Sequence, residues 1–111
     1  MQGEPDFEVT TRRTTDGVVV AARGEIDLVT VDELQTAIQQ ATADATRVYL
    51  DLREVTFIDS AGIRLVVEGA RDLAAREGEL VVVRGNTVVK RLFDLVGLEG
   101  RVRVVDAPPD E

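Results

Sequence analysis

Three short apolar runs, separated by segments with helical patterns, are the feature that most constrains this fold. The runs cover residues 18–23, 48–52 and 80–83. They are rich in valine, which favours strands, and their lack of alternation is typical of strands buried in a sheet. Because a helical segment lies between successive runs, we expect crossover helices to join parallel strands.

An antiparallel hairpin is predicted at the start of the chain. Residues 7–13 alternate apolar and polar side chains, and Asp16-Gly17 offers positive-φ residues for a tight turn before the run at 18–23. Residues 102–105 predict an edge strand. The expected fold is one α/β domain with a mixed four- to five-stranded sheet, an N-terminal antiparallel hairpin and crossover helices.

The first helix has a recognisable start. Thr30 with Glu33 three residues later predicts a capping box, and Val29 is placed to pack against Leu34 as a hydrophobic staple. The expected buried stripe consists of Val31, Leu34, Ile38 and Ala41.

Two further helices have start and stop signals. Asp59-Ser60 predicts the start of the second helix and Gly78 its end. Asn86 is a candidate cap for the third, which Gly97-Leu98 ends. The expected inward positions are Ile63, Val66, Val67, Ala70, Leu73 and Ala74 in the second helix, and Val88, Val89, Leu92, Phe93 and Val96 in the third.

Composition limits what such a domain can do. At 111 residues we expect one domain over 7–105, with flexible tails at 1–6 and 106–111 that have little to bury. The chain has neither cysteine nor histidine, which removes thiol nucleophiles, disulfides and the commonest general base and metal ligands. A net charge of −8 disfavours nucleic acid and anionic lipid, so we expect protein partners. No apolar run is long enough for a membrane span and no signal peptide is recognisable, so a cytoplasmic location is expected.

The segment from Phe57 to Gly62 (FIDSAG) holds the candidate site. It leaves a strand and turns directly into a helix, which places the Ser60 hydroxyl at the rim of the sheet. A helix start tolerates a phosphate, while the added charge beside Asp59 would repel an acidic partner surface. A catalytic nucleophile is disfavoured, because Ile58 replaces the first glycine of a hydrolase elbow and no histidine can take the proton. A plain helix cap remains the alternative for Ser60.

Four segments in register resemble the STAS-domain anti-sigma factor antagonists of bacteria. They are GEID at 24–27, VYLDL at 48–52, VTFIDSAG at 55–62 and KRLFDLVGL at 90–98. The resemblance implies that Ser60 is phosphorylated by a partner anti-sigma factor with serine kinase activity, which supplies the ATP and magnesium site. Only the unphosphorylated form would bind that partner and release a sigma factor, and a phosphoserine phosphatase would restore binding. This chain would then be no enzyme and would need no cofactor.

The resemblance also implies a partner-binding surface around Ser60. It would include Asp59, Ala61, Gly62 and Arg64, together with Glu25 and Asp27 in the loop after the second strand. Many relatives carry Ser or Thr at the position of Ala61 and a small or apolar residue at that of Arg64. Arg64, one turn beyond Ser60, would contact either the phosphate or an acidic group of the partner. Simple turn chemistry is the alternative for Glu25 and Asp27, and a solvated pair with Glu68 is the alternative for Arg64.

Two other functions compete with this hypothesis. A STAS domain can serve as a non-switching structural subunit of a transporter or signalling scaffold, and it would share this fold. A small enzyme or nucleotide-binding domain finds little support, because the chain has no glycine-rich phosphate loop and no spaced metal ligands.

Overall fold

Five strands form one mixed sheet whose spatial order follows the chain. The computed structural model describes residues 7–85, 87–109 and 111. The strands are β1 (Phe7–Thr14), β2 (Gly17–Ile26), β3 (Arg47–Ile58), β4 (Glu79–Val83) and β5 (Arg103–Val105). β1 pairs antiparallel with β2, and all later pairs are parallel. The predicted mixed sheet with an N-terminal hairpin is confirmed, with five strands.

Helices connect the parallel strands and build the main core. They are α1 (Val31–Asp44), α2 (Ser60–Ala75) and α3 (Thr87–Val96), and a short 3-10 turn, Leu98–Gly100, follows α3. Leu34, Ile38 and Ala41 of α1 are buried, as the helical period predicts, and Val31 packs at the margin. Among the described helices none is both long enough and apolar enough to cross a membrane.

One face of the sheet carries this core and the other a smaller apolar strip. Alternate residues of β3, such as Val48, Leu50 and Leu52, belong to the main core with the helices. Tyr49 lies between them in sequence and therefore faces the other way, in a cluster with Val19, Val81 and Val83.

Charged groups frame that strip at both ends. At one end the Tyr49 hydroxyl donates to Asp16 at 2.9 Å, a hydrogen bond that lowers the pKa of Asp16. Burial is the main cause that raises the pKa of Tyr49. At the other end Asp51 is 8% exposed and accepts hydrogen bonds from Arg53 at 2.8–3.2 Å. A buried carboxylate needs such a partner, so Arg53 is what makes the burial of Asp51 tolerable.

The hairpin turn differs from its prediction. Thr14 pairs with Gly17, so the turn residues are Thr15 and Asp16 rather than Asp16 and Gly17. Neither Asp16 nor Gly17 has a positive φ. Gly17 is required for a different reason, because a Cβ there would lie 2.3 Å from the carbonyl oxygen of Arg47 at the start of β3.

The left-handed residue after α2 is Glu77, not the predicted Gly78. Glu77 has a φ of 62°, while the Gly78 N–H donates to the Leu73 carbonyl at 2.7 Å. Gly78 is suited to close approach, since its Cβ would lie 2.3 Å from the Thr46 carbonyl oxygen. The predicted stop of α3 is confirmed, with Gly97 left-handed at φ of 67° and Leu98 buried. The cap predicted at Asn86 lies outside the described residues.

The described residues after β5 contact the domain, although the sequence predicts a tail with little to bury. Asp106 pairs with Arg84 at 2.7 Å, and Pro108 is buried. Glu111 pairs with Arg53 at 2.8 Å and with Arg12 at 3.2 Å, and Arg53 is the main cause that lowers the pKa of Glu111. The segment thus lies on the face of the sheet opposite the helices. The predicted tail at 1–6 lies outside the described residues.

Replacing Gly17 by alanine should destabilise the domain by about 1–3 kcal/mol, the usual cost of inserting a methyl group where no space exists. Gly100→Ala is the matched control, because nothing lies within 4 Å of its Cβ position. That control should change the free energy of unfolding by less than about 0.5 kcal/mol. Urea unfolding of the three proteins measures both values, and equal stability of the two variants would contradict the close approach of Gly17 to Arg47.

Candidate functional site

The adjacent strands β2 and β3 end side by side. Ile26 is in register with Ile58, and the Asp59 N–H donates to the Ile26 carbonyl at 3.1 Å. Since the strands are parallel, both of the segments that follow them leave at the same edge of the sheet. We call this region, residues 25–30 and 57–64, the carboxyl edge.

Asp59 caps α2 and leaves Ser60 free for other contacts. One carboxylate oxygen of Asp59 accepts hydrogen bonds from the Ala61 N–H at 2.9 Å and the Gly62 N–H at 3.3 Å. Ser60 is therefore the first residue of the helix rather than its cap. Its side chain is exposed, and its hydroxyl has no hydrogen-bond partner in the described part of the chain. The alternative interpretation of Ser60 as a plain cap does not fit this geometry.

Gly62 holds the first turn of α2 against the sheet. A Cβ at this position would lie 2.5 Å from Cγ1 of Ile58 and 2.8 Å from Cγ2 of Ile26. Only glycine lets the helix start approach the ends of β2 and β3 so closely, which fixes the position of Ser60. Gly62 is buried beneath the surface, and its predicted contact with a partner stays a prediction.

The turn between β2 and α1 is organised by Asp27. Its carboxylate accepts hydrogen bonds from the N–H groups of Val29 and Thr30, both at 3.0 Å, and its carbonyl accepts one from the Val31 N–H at 2.9 Å. The Thr30 N–H is the main cause that lowers the pKa of Asp27, because these bonds favour the charged carboxylate, while burial opposes them. Asp27 thus acts as the cap of the turn that leads into α1.

The capping box predicted for Thr30 and Glu33 is wrong. Thr30 makes no side-chain cap hydrogen bond to α1. Its hydroxyl instead donates to the Glu25 carbonyl at 2.8 Å and accepts from the Asp27 N–H at 2.9 Å. The turn chemistry considered as an alternative for Asp27 is therefore present, and Glu25 takes part through its backbone.

The other predicted partner contacts lie on the surface. Glu25 and Arg64 are exposed, and Asp59 and Ala61 are half-buried. Arg64 has no ion pair to Glu68 or to any other residue that the structure describes. The structure therefore gathers Glu25, Asp27, Asp59 and Ala61 with Ser60 at the carboxyl edge, and Arg64 follows one turn along α2.

Exposed apolar side chains at this edge are the feature that sequence reasoning missed. Leu28 is 77% exposed, Val29 84% and Phe57 46%. The staple predicted between Val29 and Leu34 is wrong, because Leu34 is buried and Val29 points into solvent. Because Asp27 holds the turn that precedes α1, Val29 lies within that turn and points away from the core, where it cannot act as a staple. In the sequence, the two large aliphatic residues Leu28 and Val29 directly after the capping Asp27 could have indicated this exposure.

The structure therefore has a mixed sheet with helices on one face and an exposed serine at the start of a capped helix. The family model described as "Mlab, STAS domain" matches residues 9–106. The chain belongs to the STAS domain family, and the resemblance to STAS-domain anti-sigma factor antagonists is confirmed.

Relatives and solved structures agree with that family. The chain is 33% identical over 86 residues to the anti-sigma-B factor antagonist of Staphylococcus aureus (strain NCTC 8325 / PS 47), covering 77% of this chain and 80% of the relative. The structure of an anti-sigma factor antagonist from Mycobacterium paratuberculosis superposes with a TM-score of 0.84 and 26% identity, covering 98% of this chain and 94% of that one. SpoIIAA, an anti-sigma factor antagonist, in its unphosphorylated form has a TM-score of 0.77 at 24% identity, with 93% and 90% covered, and supports the fold alone.

Replacing Asp59 by alanine should lower the free energy of unfolding by about 0.5–2 kcal/mol, since two N–H groups of α2 lose their acceptor. The neighbouring Ser60→Ala is the matched control and should change it by less than about 0.5 kcal/mol, because its hydroxyl makes no such bond. Chemical denaturation of both variants measures the difference. A larger loss for Ser60→Ala than for Asp59→Ala would reverse the assignment of the cap.

The contribution of Asp27 to stability should depend on pH. Its pKa is lowered in the folded protein, so the charged form stabilises the fold. That stability is fully present above the unfolded pKa of about 3.9 and is lost as the pH falls through the lower folded pKa.

We therefore expect Asp27→Asn to be less stable than the wild type at pH 7, with the gap narrowing towards pH 3. Asp72→Asn, which changes the net charge equally at an exposed site of α2, is the control. Urea midpoints at the two pH values measure the gap, and a gap independent of pH would contradict the role of the charge.

Proposed function

We propose that this protein is a cytoplasmic anti-sigma factor antagonist whose binding is switched by phosphorylation of Ser60. In its unphosphorylated form it would bind an anti-sigma factor with serine kinase activity and so release a sigma factor. Phosphorylation would end that binding, and a phosphoserine phosphatase would restore it. The chain itself would carry out no catalysis and would require no cofactor.

The position of Ser60 is the observation that carries this proposal. Its hydroxyl is exposed and engaged by no described residue, while the neighbouring Asp59 caps the helix. A kinase can therefore reach the oxygen, and modification breaks no hydrogen bond of the fold. Because Ser60 is the only serine in the chain, one residue would carry the signal.

Charge explains how a phosphate at this position would act. It adds about −1.5 to −2 charges at neutral pH. The first-turn N–H groups of Ala61 and Gly62 already bind the Asp59 carboxylate. They are therefore not free to neutralise the phosphate, which stays on the surface beside Asp59. A partner surface that packs closely over Ser60 would be excluded by the size and the bound water of the phosphate, while the fold remains intact.

The relatives support the binding function more directly than the switch. The Staphylococcus aureus protein, at 33% identity, is an anti-sigma-B factor antagonist by name. Phosphorylation of this chain is supported by the geometry of Ser60 and by its position in the Asp59-Ser60-Ala61-Gly62 element. In the same region the proposed contacts of the anti-sigma factor are Glu25, Asp27, Asp59, Ala61, Gly62 and Arg64.

A non-switching STAS subunit of a transporter or signalling scaffold is the alternative function. It would use the same fold, so the family alone does not separate the two. The accessible Ser60, with a capping acid beside it, favours the switch because a constant subunit has no need of an exposed, unengaged hydroxyl.

The proposal predicts one added phosphate when the protein is incubated with ATP, magnesium and the candidate kinase anti-sigma factor from its own genome. Intact-mass spectrometry measures the addition, which should be absent in Ser60→Ala. Thr56→Ala is the matched control, since it removes an exposed hydroxyl four residues earlier, and it should still gain the phosphate.

Binding completes this test. Unmodified protein and Ser60→Ala should capture the anti-sigma factor in a pull-down with purified components, whereas the phosphorylated protein and Ser60→Asp should not. All should remain folded, because Asp59 still caps the helix. If the protein binds an anti-sigma factor but no candidate kinase phosphorylates it, the non-switching subunit is favoured. If the phosphate is found on a threonine, the assignment of Ser60 is overturned.

A further inference from the structure

Three of the exposed large apolar side chains gather at the carboxyl edge. Of the side chains that the structure describes, the large apolar ones that are exposed are Leu28, Val29, Phe57 and Leu95. The first three lie within three residues of the paired Ile26 and Ile58, while Leu95 lies in α3. A single exposed leucine is ordinary, but a group of apolar side chains at one edge of a domain is typical of an interaction site.

The exposure of Leu28 and Val29 is imposed by a fixed turn. They lie between Asp27 and Thr30, which are bonded to each other twice. The Thr30 N–H donates to the Asp27 carboxylate at 3.0 Å, and the Asp27 N–H donates to the Thr30 hydroxyl at 2.9 Å. A second anchor is the bond from the Thr30 hydroxyl to the Glu25 carbonyl. Both aliphatic side chains are thus presented before a partner arrives, which lowers the entropy lost on binding.

Acidic groups surround these apolar side chains. Glu25, Asp27 and Asp59 lie on the carboxyl edge itself, and the first turn of α1 adds Asp32 and Glu33. Arg64 contributes one positive charge, while the nearby Arg23 is paired with Glu8 at 3.5 Å and Glu54 at 3.8 Å. The charge pattern therefore matches a partner whose apolar pocket is bordered by Lys and Arg side chains.

We infer that Leu28 and Val29 are the apolar anchor of the complex with the anti-sigma factor, which receives them in an apolar pocket bordered by basic side chains. This inference rests on the proposed function and deepens it. It also adds a reason for the switch, because a dianionic phosphate on Ser60 beside a closed apolar contact would have to lose its water. The charges of Asp59 and Glu25 would increase the rate of association. The two aliphatic side chains would slow dissociation of the complex.

The test is calorimetric titration of the purified candidate kinase anti-sigma factor with Leu28→Ser, Val29→Ser and the double variant. Leu95→Ser is the matched control, since Leu95 is 78% exposed, like Leu28, but lies on another element. Each single variant should bind about 10-fold more weakly and the double variant about 100-fold, as expected for buried anchors at an interface. Leu95→Ser should bind like the wild type. All four should keep the urea midpoint of the wild type, because the replaced side chains pack little against the core.

The remaining outcomes distinguish failure of this inference from failure of the proposed function. If the double variant binds like the wild type while Ser60→Asp fails to bind, the anchor is overturned and the switch stands. If the wild type binds no candidate kinase, both are overturned. If sedimentation shows a concentration-dependent dimer that the double variant abolishes, Leu28 and Val29 contact a second copy of this chain. The inference is then overturned.

Discussion

The contact between the ends of β2 and β3 is the constraint on which the candidate site depends. The Asp59 N–H donates to the Ile26 carbonyl, and the same residue caps α2 with its carboxylate. One residue therefore joins two strands and begins a helix. Gly62 then lets that helix approach the strand ends closely. Because these contacts fix the backbone on both sides of Ser60, its hydroxyl is held at the surface without a hydrogen bond to any residue that the structure describes.

The second face of the sheet is stabilised in a different way from the first. Helices cover one face with aliphatic side chains, whereas the strip around Tyr49 on the other is bordered by ion pairs. Asp51 and Arg53 illustrate the arrangement, since the buried carboxylate is matched by a guanidinium that also binds Glu111. Exposed ion pairs contribute little to stability individually. Here they border the apolar strip and keep the surrounding surface polar.

The fold follows from the sequence because hydrophobic period and strand propensity are local signals, and both are strong in this chain. The strands, the helices and the stop at Gly97 were predictable for that reason. The details of turns were not, because they depend on distant backbone. Glycine is required at position 17 because the backbone of Arg47 lies too close for a Cβ. The Thr30 hydroxyl donates to the carbonyl of Glu25, five residues earlier, and not to the helix. At the site, Ser60 was predictable from its motif, whereas the exposure of Leu28 and Val29 depends on which residue caps the turn.

The sheet has two edge strands, and their composition bears on whether another chain can add a strand to them. β1 forms one edge and carries Arg12 and Arg13 among threonines, while β5 forms the other and has three residues, beginning with Arg103. Charged side chains and short length are the means by which natural sheets discourage strand addition from another chain. The edge strands therefore offer few sites where another chain could add a strand and start aggregation. Selective contacts with another protein are then left to the turns at the ends of the strands.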